Sequence, residues 1–293
     1  MDFKRIEAIF LVAFLCLDIF LFSIYRQSQN EQTPINNSST IKITQRLKED
    51  KIKYEGKISS EHTDGYYLSA TQTNLNTELQ NMKKTKKLEN ADVLRSSVKD
   101  NLLSLTPEKD LSVNKKGQIP TLVRETLTNQ KEIILGKDYR YQDEIHQQSD
   151  GYLDAYACQK YEGIPINDIT AQIKFTLKKN DENYRLEKIQ QMHLSNLTAL
   201  REKMPLVSEE DALTTLYINN KLSKNDEILW SKLAYTLVLQ VRGKNVYVPA
   251  WFVSIRHEDK KEQVEIVNAF RNRIITNAAV VSVKFFPKTE NEN

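Results

Sequence analysis

The sequence predicts an α+β protein: a single N-terminal transmembrane helix followed by an ectodomain of two mixed helix and antiparallel-sheet domains. Three observations predict it. Residues 6–25 form an apolar run interrupted by only two charges, Glu7 and Asp18. Over residues 41–127, helical periodicity alternates with short strand-like runs. From Tyr139 onward, runs rich in aromatic and β-branched residues alternate with turns built on Asp, Asn and Gly.

The N-terminal run comes first. As a helix it spans about 30 Å, the thickness of a bilayer's hydrocarbon core. It is longer than a cleavable signal peptide's apolar stretch, and its exit, Ser23-Ile24-Tyr25-Arg26-Gln27, lacks the small-residue cleavage pattern. It therefore reads as an uncleaved anchor. Lys4, Arg5 and the amino terminus precede it, against Arg26 alone just after it. The positive-inside rule then places residues 1–5 in the cytoplasm and everything beyond the helix outside the cell. A stub that short holds no signalling domain. Glu7 and Asp18 stand eleven residues apart, within about 20° of three helical turns. Glu7, Leu11, Phe14, Asp18, Phe22 and Tyr25 therefore share one stripe. A carboxylate at the depth of Asp18 costs about 2.5–3.5 kcal/mol on insertion scales. The stripe accordingly reads as a partner-binding surface, with Asp18 meeting a polar group on another membrane helix.

Residues 26–40 are polar and aperiodic and read as a juxtamembrane linker. A first domain is expected over 41–116. It opens with a short helix over Ile41–Lys48 capped by Ser39 or Thr40. A strand pair over Ile52–Ile58 and Tyr66–Thr71 follows, turning at Thr63-Asp64-Gly65. Ala91, Leu94, Val98, Leu102 and Leu105 then recur at helical spacing. A second, strand-rich domain is expected over 117–285. Ile119, Leu122, Val123, Thr126 and Leu127 mark a helix with Pro120 in its first turn. Tyr139–His146 and Tyr152–Tyr161 make a hairpin around Ser149-Asp150-Gly151. Ile169–Leu177 and Tyr184–Leu194 make another around Lys179–Asn183. Ser208, with Asp211 three residues on, caps a helix. Strands at Leu233–Val241, Tyr247–Ile255 and Gln263–Asn268 close the domain, and 286–293 is a charged tail.

Composition narrows function mainly by exclusion. The chain of 293 residues is 28% charged with a formal net charge of +3, too balanced and too evenly spread for nucleic-acid binding. The one basic run, Lys83-Lys84-Thr85-Lys86-Lys87, reads as a solvated loop. Seven glycines form no phosphate-cradling motif, and four scattered histidines have no metal-ligand spacing, so neither a cofactor nor a metal is implied. Cys16, in the membrane run, and Cys158, far out in the ectodomain, cannot bridge within one chain. A disulfide-free exterior domain fits a Gram-positive surface. Cys158 lies mid-strand beside Tyr152 and Tyr156 and reads as a packed core thiol rather than a nucleophile. Tyr139, Tyr141, Tyr152, Tyr156 and Tyr161 cluster in the strand-rich half, as core packing or as a protein-contact surface.

The opening MDFKRIEAIFLVAFLCLDIFLF resembles the N-terminus of the YycI family of Gram-positive bacteria. GIPI (Gly163–Ile166), SEEDALTTLY (Ser208–Tyr217), YVPAWFV (Tyr247–Val253) and IVNAF (Ile266–Phe270) are similar to it as well. Residues 75–135 carry no such resemblance and rest on periodicity. The resemblance implies a non-enzymatic regulator, not an enzyme. Family members work with a sister protein, YycH, on the sensor histidine kinase WalK (YycG), which governs cell-wall metabolism through WalR. It also implies a two-domain α+β ectodomain and a membrane helix that takes part in kinase control. Two rivals stand beside it. One is a membrane-anchored ligand sensor, taking a wall fragment or peptide between its sheets. The other is an anchored wall enzyme using Cys158.

Overall fold

No proline or glycine interrupts the sequence from Phe3 to Asn30, and these residues form one helix, α1 (Phe3–Asn30). The computed structural model describes residues 3–30, 42–84, 97–99, 101–107, 110–128, 133–180, 183–259 and 261–276. The chain divides into two units, Met1–Gln45 and Arg46–Asn293. In the first, α1 reaches beyond both ends of the expected 6–25 span and takes in residues 26–30, expected as linker. Every side chain described over residues 9–23 is exposed. That stretch rises about 22 Å. Among the described residues, no helix is long and apolar enough to cross a membrane.

α2 (Ile43–Glu49) follows, then β1 (Lys53–Tyr54), β2 (Asp64–Gly65), β3 (Leu68–Gln72) and α3 (Leu75–Lys84). The middle of the chain holds β4 (Ser97–Lys99), β5 (Leu102–Leu105), β6 (Ser112–Val113), α4 (Ile119–Thr128), β7 (Tyr139–Gln147), β8 (Tyr152–Tyr161), β9 (Ile164–Pro165), β10 (Gln172–Lys179) and β11 (Tyr184–Gln191). The last part holds β12 (Leu194–Ala199), β13 (Met204–Pro205), α5 (Glu209–Ile218), β14 (Glu227–Val241), β15 (Lys244–Arg256), β16 (Glu262–Asn268) and β17 (Arg273–Ile274). The class is mixed α+β, with strands dominant and helices few.

Two sheets organise the larger unit. The first runs β1-β14-β15-β16-β17, with β3 joining β15 and β12 joining β3. The second runs β4-β5-β11-β10-β8-β7, with β6 on β11 and β9 on β8. Strands drawn from residues 41–116 enter both sheets. β1 and β3 join the first, and β4, β5 and β6 the second.

The second sheet packs on α4. Ile119, Leu122, Val123, Thr126 and Leu127 are buried, as their spacing requires, and Pro120 sits in the first turn. The face they meet includes Ala155, Ala157, Ile173, Phe175 and Leu177, all fully or almost fully buried. Each large side chain sealed there is worth about 1.5–3 kcal/mol over an exposed one. A second cluster joins Leu68, Tyr235, Leu237 and Tyr247 of the first sheet to Ile166 and Ala171, which lie between β9 and β10. α5 starts as expected: the Ser208 hydroxyl accepts from the Asp211 amide at 3.1 Å, and Asp211 accepts from the Ser208 amide at 2.9 Å. Such a cap is worth about 1 kcal/mol.

Three expectations are corrected. Val98, Leu102 and Leu105 lie on strands, not on a helix: β4 and β5 pair as a hairpin that turns at Asn101, φ 64°. Leu103 and Leu105 are buried on alternate residues and face β11, so the period is two. Ala91 and Leu94 lie outside the described residues. The strands near Ile52–Ile58 and Tyr66–Thr71 do not pair with each other. β1 lies parallel to β14, β3 pairs with β12 and β15, and Asp64–Gly65 pairs with β13. Ile169 begins a short 3₁₀ turn capped by Asp168, and β10 starts only at Gln172. The Ser39 or Thr40 cap and the 286–293 tail lie outside the described residues.

Candidate functional site

The unbroken helix α1 places Glu7, Leu11, Phe14, Asp18 and Phe22 on one stripe, all exposed. Tyr25 lies on the same helix, with its side chain outside those described. Leu15, Asp18, Ile19, Leu21 and Phe22 frame an open surface around the Asp18 carboxylate. It is the one charge among these five residues.

A second candidate lies between the two sheets. Gln142 and His146 from β7 and Tyr156 and Cys158 from β8 face Trp230, Lys232, Ala234 and Phe252 from β14 and β15, with Pro165 and Asn167 at the rim. The ladders are irregular on both sides, shifting register between Gln142 and Ile145 and between Ile228 and Trp230. The cleft holds about 40 Å³, room for about three water molecules and far too little for a wall fragment. Cys158 at its wall is 1% exposed and accepts from Gln142 Nε2 at 2.8 Å. Burial pushes its thiol up to about 12, so it carries no thiolate at neutral pH. The two histidines that would have to serve it bond elsewhere: His193 to Thr73 and Asp138, and His257 to Asp226. A third histidine, His146, lines the same cleft but stands opposite Asp154 in the β7–β8 ladder, while Cys158 stands opposite Arg140.

A model of the YycI protein family matches residues 30–270 of this chain. The chain belongs to the YycI family. The match takes in both sheets except β17 and leaves the α1 stripe wholly outside it. YycI membership carries a role in the WalK (YycG) regulatory system, a regulatory rather than a catalytic assignment. No curated protein matches the chain. Twelve chains of solved structures do. One, described as an uncharacterized protein from Eubacterium rectale, is 9% identical with a TM-score of 0.46, covering 73% of this chain and 86% of its own.

Within this YycI chain the structure assembles one cluster that no spacing in the sequence announces. The His193 Nε2–H donates to Asp138 Oδ2 at 3.0 Å, and Nδ1 lies 2.7 Å from the Thr73 hydroxyl. Hydroxyl, imidazole and carboxylate in series is an order used in hydrolysis. Here the ring is 4% exposed, and its backbone carbonyl accepts from both the Thr73 amide and Gln72 Nε2. The cluster clasps the point where the chain leaves β11 of the second sheet for β12 of the first.

Burial holds His193 below the ordinary imidazole value, although Asp138 and Glu78 pull it up. The unfolded chain therefore binds a proton at a higher pH than the fold does. Stability should fall as pH drops below about 6.5. Urea unfolding at about pH 7 and about pH 5 should show a lower midpoint in acid, with a smaller drop in His193→Gln. Asp168, raised by burial, works in the opposite sense and is unchanged in that variant. Equal drops in the two proteins would remove His193 from the account.

Proposed function

We propose that this YycI-family chain is a non-enzymatic regulator of the cell-wall sensor kinase WalK, acting from the cell membrane together with a YycH-like partner. α1 spans the bilayer in this reading, with residues 1–5 in the cytoplasm and the sheet-bearing unit outside. The observation that carries it is the surface of α1. Over residues 9–23 its side chains are exposed and almost all apolar, a surface that water does not tolerate uncovered and that lipid or other helices would cover. The Glu7, Leu11, Phe14, Asp18, Phe22 and Tyr25 stripe packs against kinase helices and biases them between two arrangements.

An interhelical polar contact in lipid is worth about 1–2 kcal/mol, enough to shift a two-state equilibrium about five- to thirty-fold. Asp18→Leu should therefore change expression of WalR-controlled genes by a factor in that range at an unchanged level of the protein. It should also reduce recovery of WalK with the full chain from mild detergent. Unaltered output and recovery would remove the stripe from the mechanism and leave the ectodomain to carry the contact.

A further inference from the structure

β14 is longer than the strands that cover it. On its outer side β1 pairs only with Glu227 and Ile228, and Ile166 makes a single bridge at Tyr235. Beyond that point no described strand lies along the outer side of β14, although its inner side continues to pair with β15 as far as Val241. Natural sheets blunt such edges with charge, proline or cover. This edge instead reads Thr236-Leu237-Val238-Leu239-Gln240-Val241, buried at Thr236 and Leu237 and exposed from Val238 to Val241. A bulge between Leu237 and Leu239 turns two consecutive side chains outward, and Val238 and Leu239 are both exposed, as is Val241. Elsewhere in this unit the exposed large apolar side chains described occur singly, at Leu135, Ile169, Leu200 and Ile218.

Two further features shape the edge. The hairpin is held rigidly: Arg242 and Gly243 both have positive φ, 49° and 78°, and Gln240 Nε2 donates to Asn245 Oδ1 at 3.0 Å. From Tyr235 to Val246 the ionised residues are Arg242 and Lys244, both exposed, and the acid near Tyr235, Glu162, is paired with Lys203.

We propose that the exposed edge of β14, over residues 238–241, is a docking strand for an extended segment of a partner protein that alternates apolar with acidic residues. The open backbone supplies ladder hydrogen bonds, Val238, Leu239 and Val241 take the partner's apolar side chains, and Arg242 and Lys244 select for acid over base. The proposal rests on reading the chain as a protein-binding regulator and names a surface for that role.

The test uses the full chain in detergent micelles and a fluorescein-labelled, end-capped eight-residue peptide alternating valine with glutamate. Binding is followed by anisotropy, and edge occupancy by amide hydrogen exchange. Expected are binding, slowed exchange over residues 238–241, and loss of binding when the peptide's amides are N-methylated. Leu239→Lys and Val241→Lys each weaken binding about ten-fold, the loss of one apolar anchor. Arg242→Glu with Lys244→Glu reverses the preference towards a valine–lysine peptide. All these side chains are exposed, so the variants keep the parent's melting temperature.

No binding by the native chain, or binding untouched by Leu239→Lys, overturns the proposal. So does sedimentation as a dimer that Leu239→Lys dissolves, which gives the edge to a second copy. Adsorption to phosphatidylglycerol vesicles that the same change abolishes gives it to lipid, and overturns the proposal too. If the peptide fails while WalK is still recovered with the chain, the edge proposal falls and the regulatory reading stands. If the edge binds the peptide and WalK is not recovered, the reverse holds.

Discussion

Phe252→Ala should destabilise the sheet-bearing unit by about 3–5 kcal/mol, read as a lower urea midpoint at unchanged slope. Phe252 is fully buried on β15, flanked by β14 and β16, and packs with Ala234, Ala250, Trp230, Val264 and Ile266. Truncation removes the ring's contacts with these neighbours and leaves a hole that two paired strands hold open. One circumstance moderates the loss. Phe252 also lines the cleft between the sheets, so water can enter the enlarged space and the cost should fall towards 3 kcal/mol. A loss under about 1 kcal/mol would mean that the sheet collapses into the gap, and that this core is softer than its burial implies.

The second large effect is expected at Asp154 on β8, whose side chain is wholly buried. Lys174 Nζ lies 2.7 Å from one carboxylate oxygen, the Thr176 hydroxyl donates to the other at 2.9 Å, and Gln148 and the Tyr156 hydroxyl also point at the group. The partners come from the facing strand by register, since Thr176 lies opposite Asp154 and Lys174 opposite Tyr156. Asp154→Ala strips a buried ion pair of one member and leaves buried donors without an acceptor, typically a loss of about 3–5 kcal/mol. Lys174 is 30% exposed and can swing towards water, which argues for about 3 kcal/mol. Asp154→Asn keeps the shape and some of the hydrogen bonds and should fall between wild type and Ala. If Asn and Ala destabilise equally, the charge matters and the hydrogen-bond geometry does not.

Much of the second sheet was legible because its signals are local. Ser149-Asp150-Gly151 turns the β7–β8 hairpin with Asp150 and Gly151 at φ 64° and 78°, and the spacing from Ile119 to Leu127 puts one face of α4 in the core. β1, β3 and β12 were misjudged or missed because their partners lie far along the chain, and no local pattern reports a distant partner. The 97–105 segment was misread because Val98, Leu102 and Leu105 satisfy helical spacing as well as they fit a hairpin. Glu7 and Asp18 stood out in the sequence because charge in an apolar run is conspicuous. The cleft did not, since Trp230 and Lys232 reach Gln142 and Cys158 only once two sheets have formed. Thr73, His193 and Asp138 come from three separate segments, and nothing in their spacing marks them.

The pairing of β3 with β15 sets a timetable for the newborn chain. Leu68 to Thr71 wait for Lys244 to Tyr247 before their edge can close, and Lys53 and Tyr54 wait for Glu227 and Ile228. At ribosomal speeds the interval from Gln72 to Lys244 lasts about 10–30 s. For that time the early strands have no final place to settle, and loop closure over such separations is slow even when synthesis ends. A chain truncated before Lys244 would therefore hold β8, β10 and β11 yet leave β1 and β3 open to proteases, whereas in the finished chain these two paired strands would resist digestion.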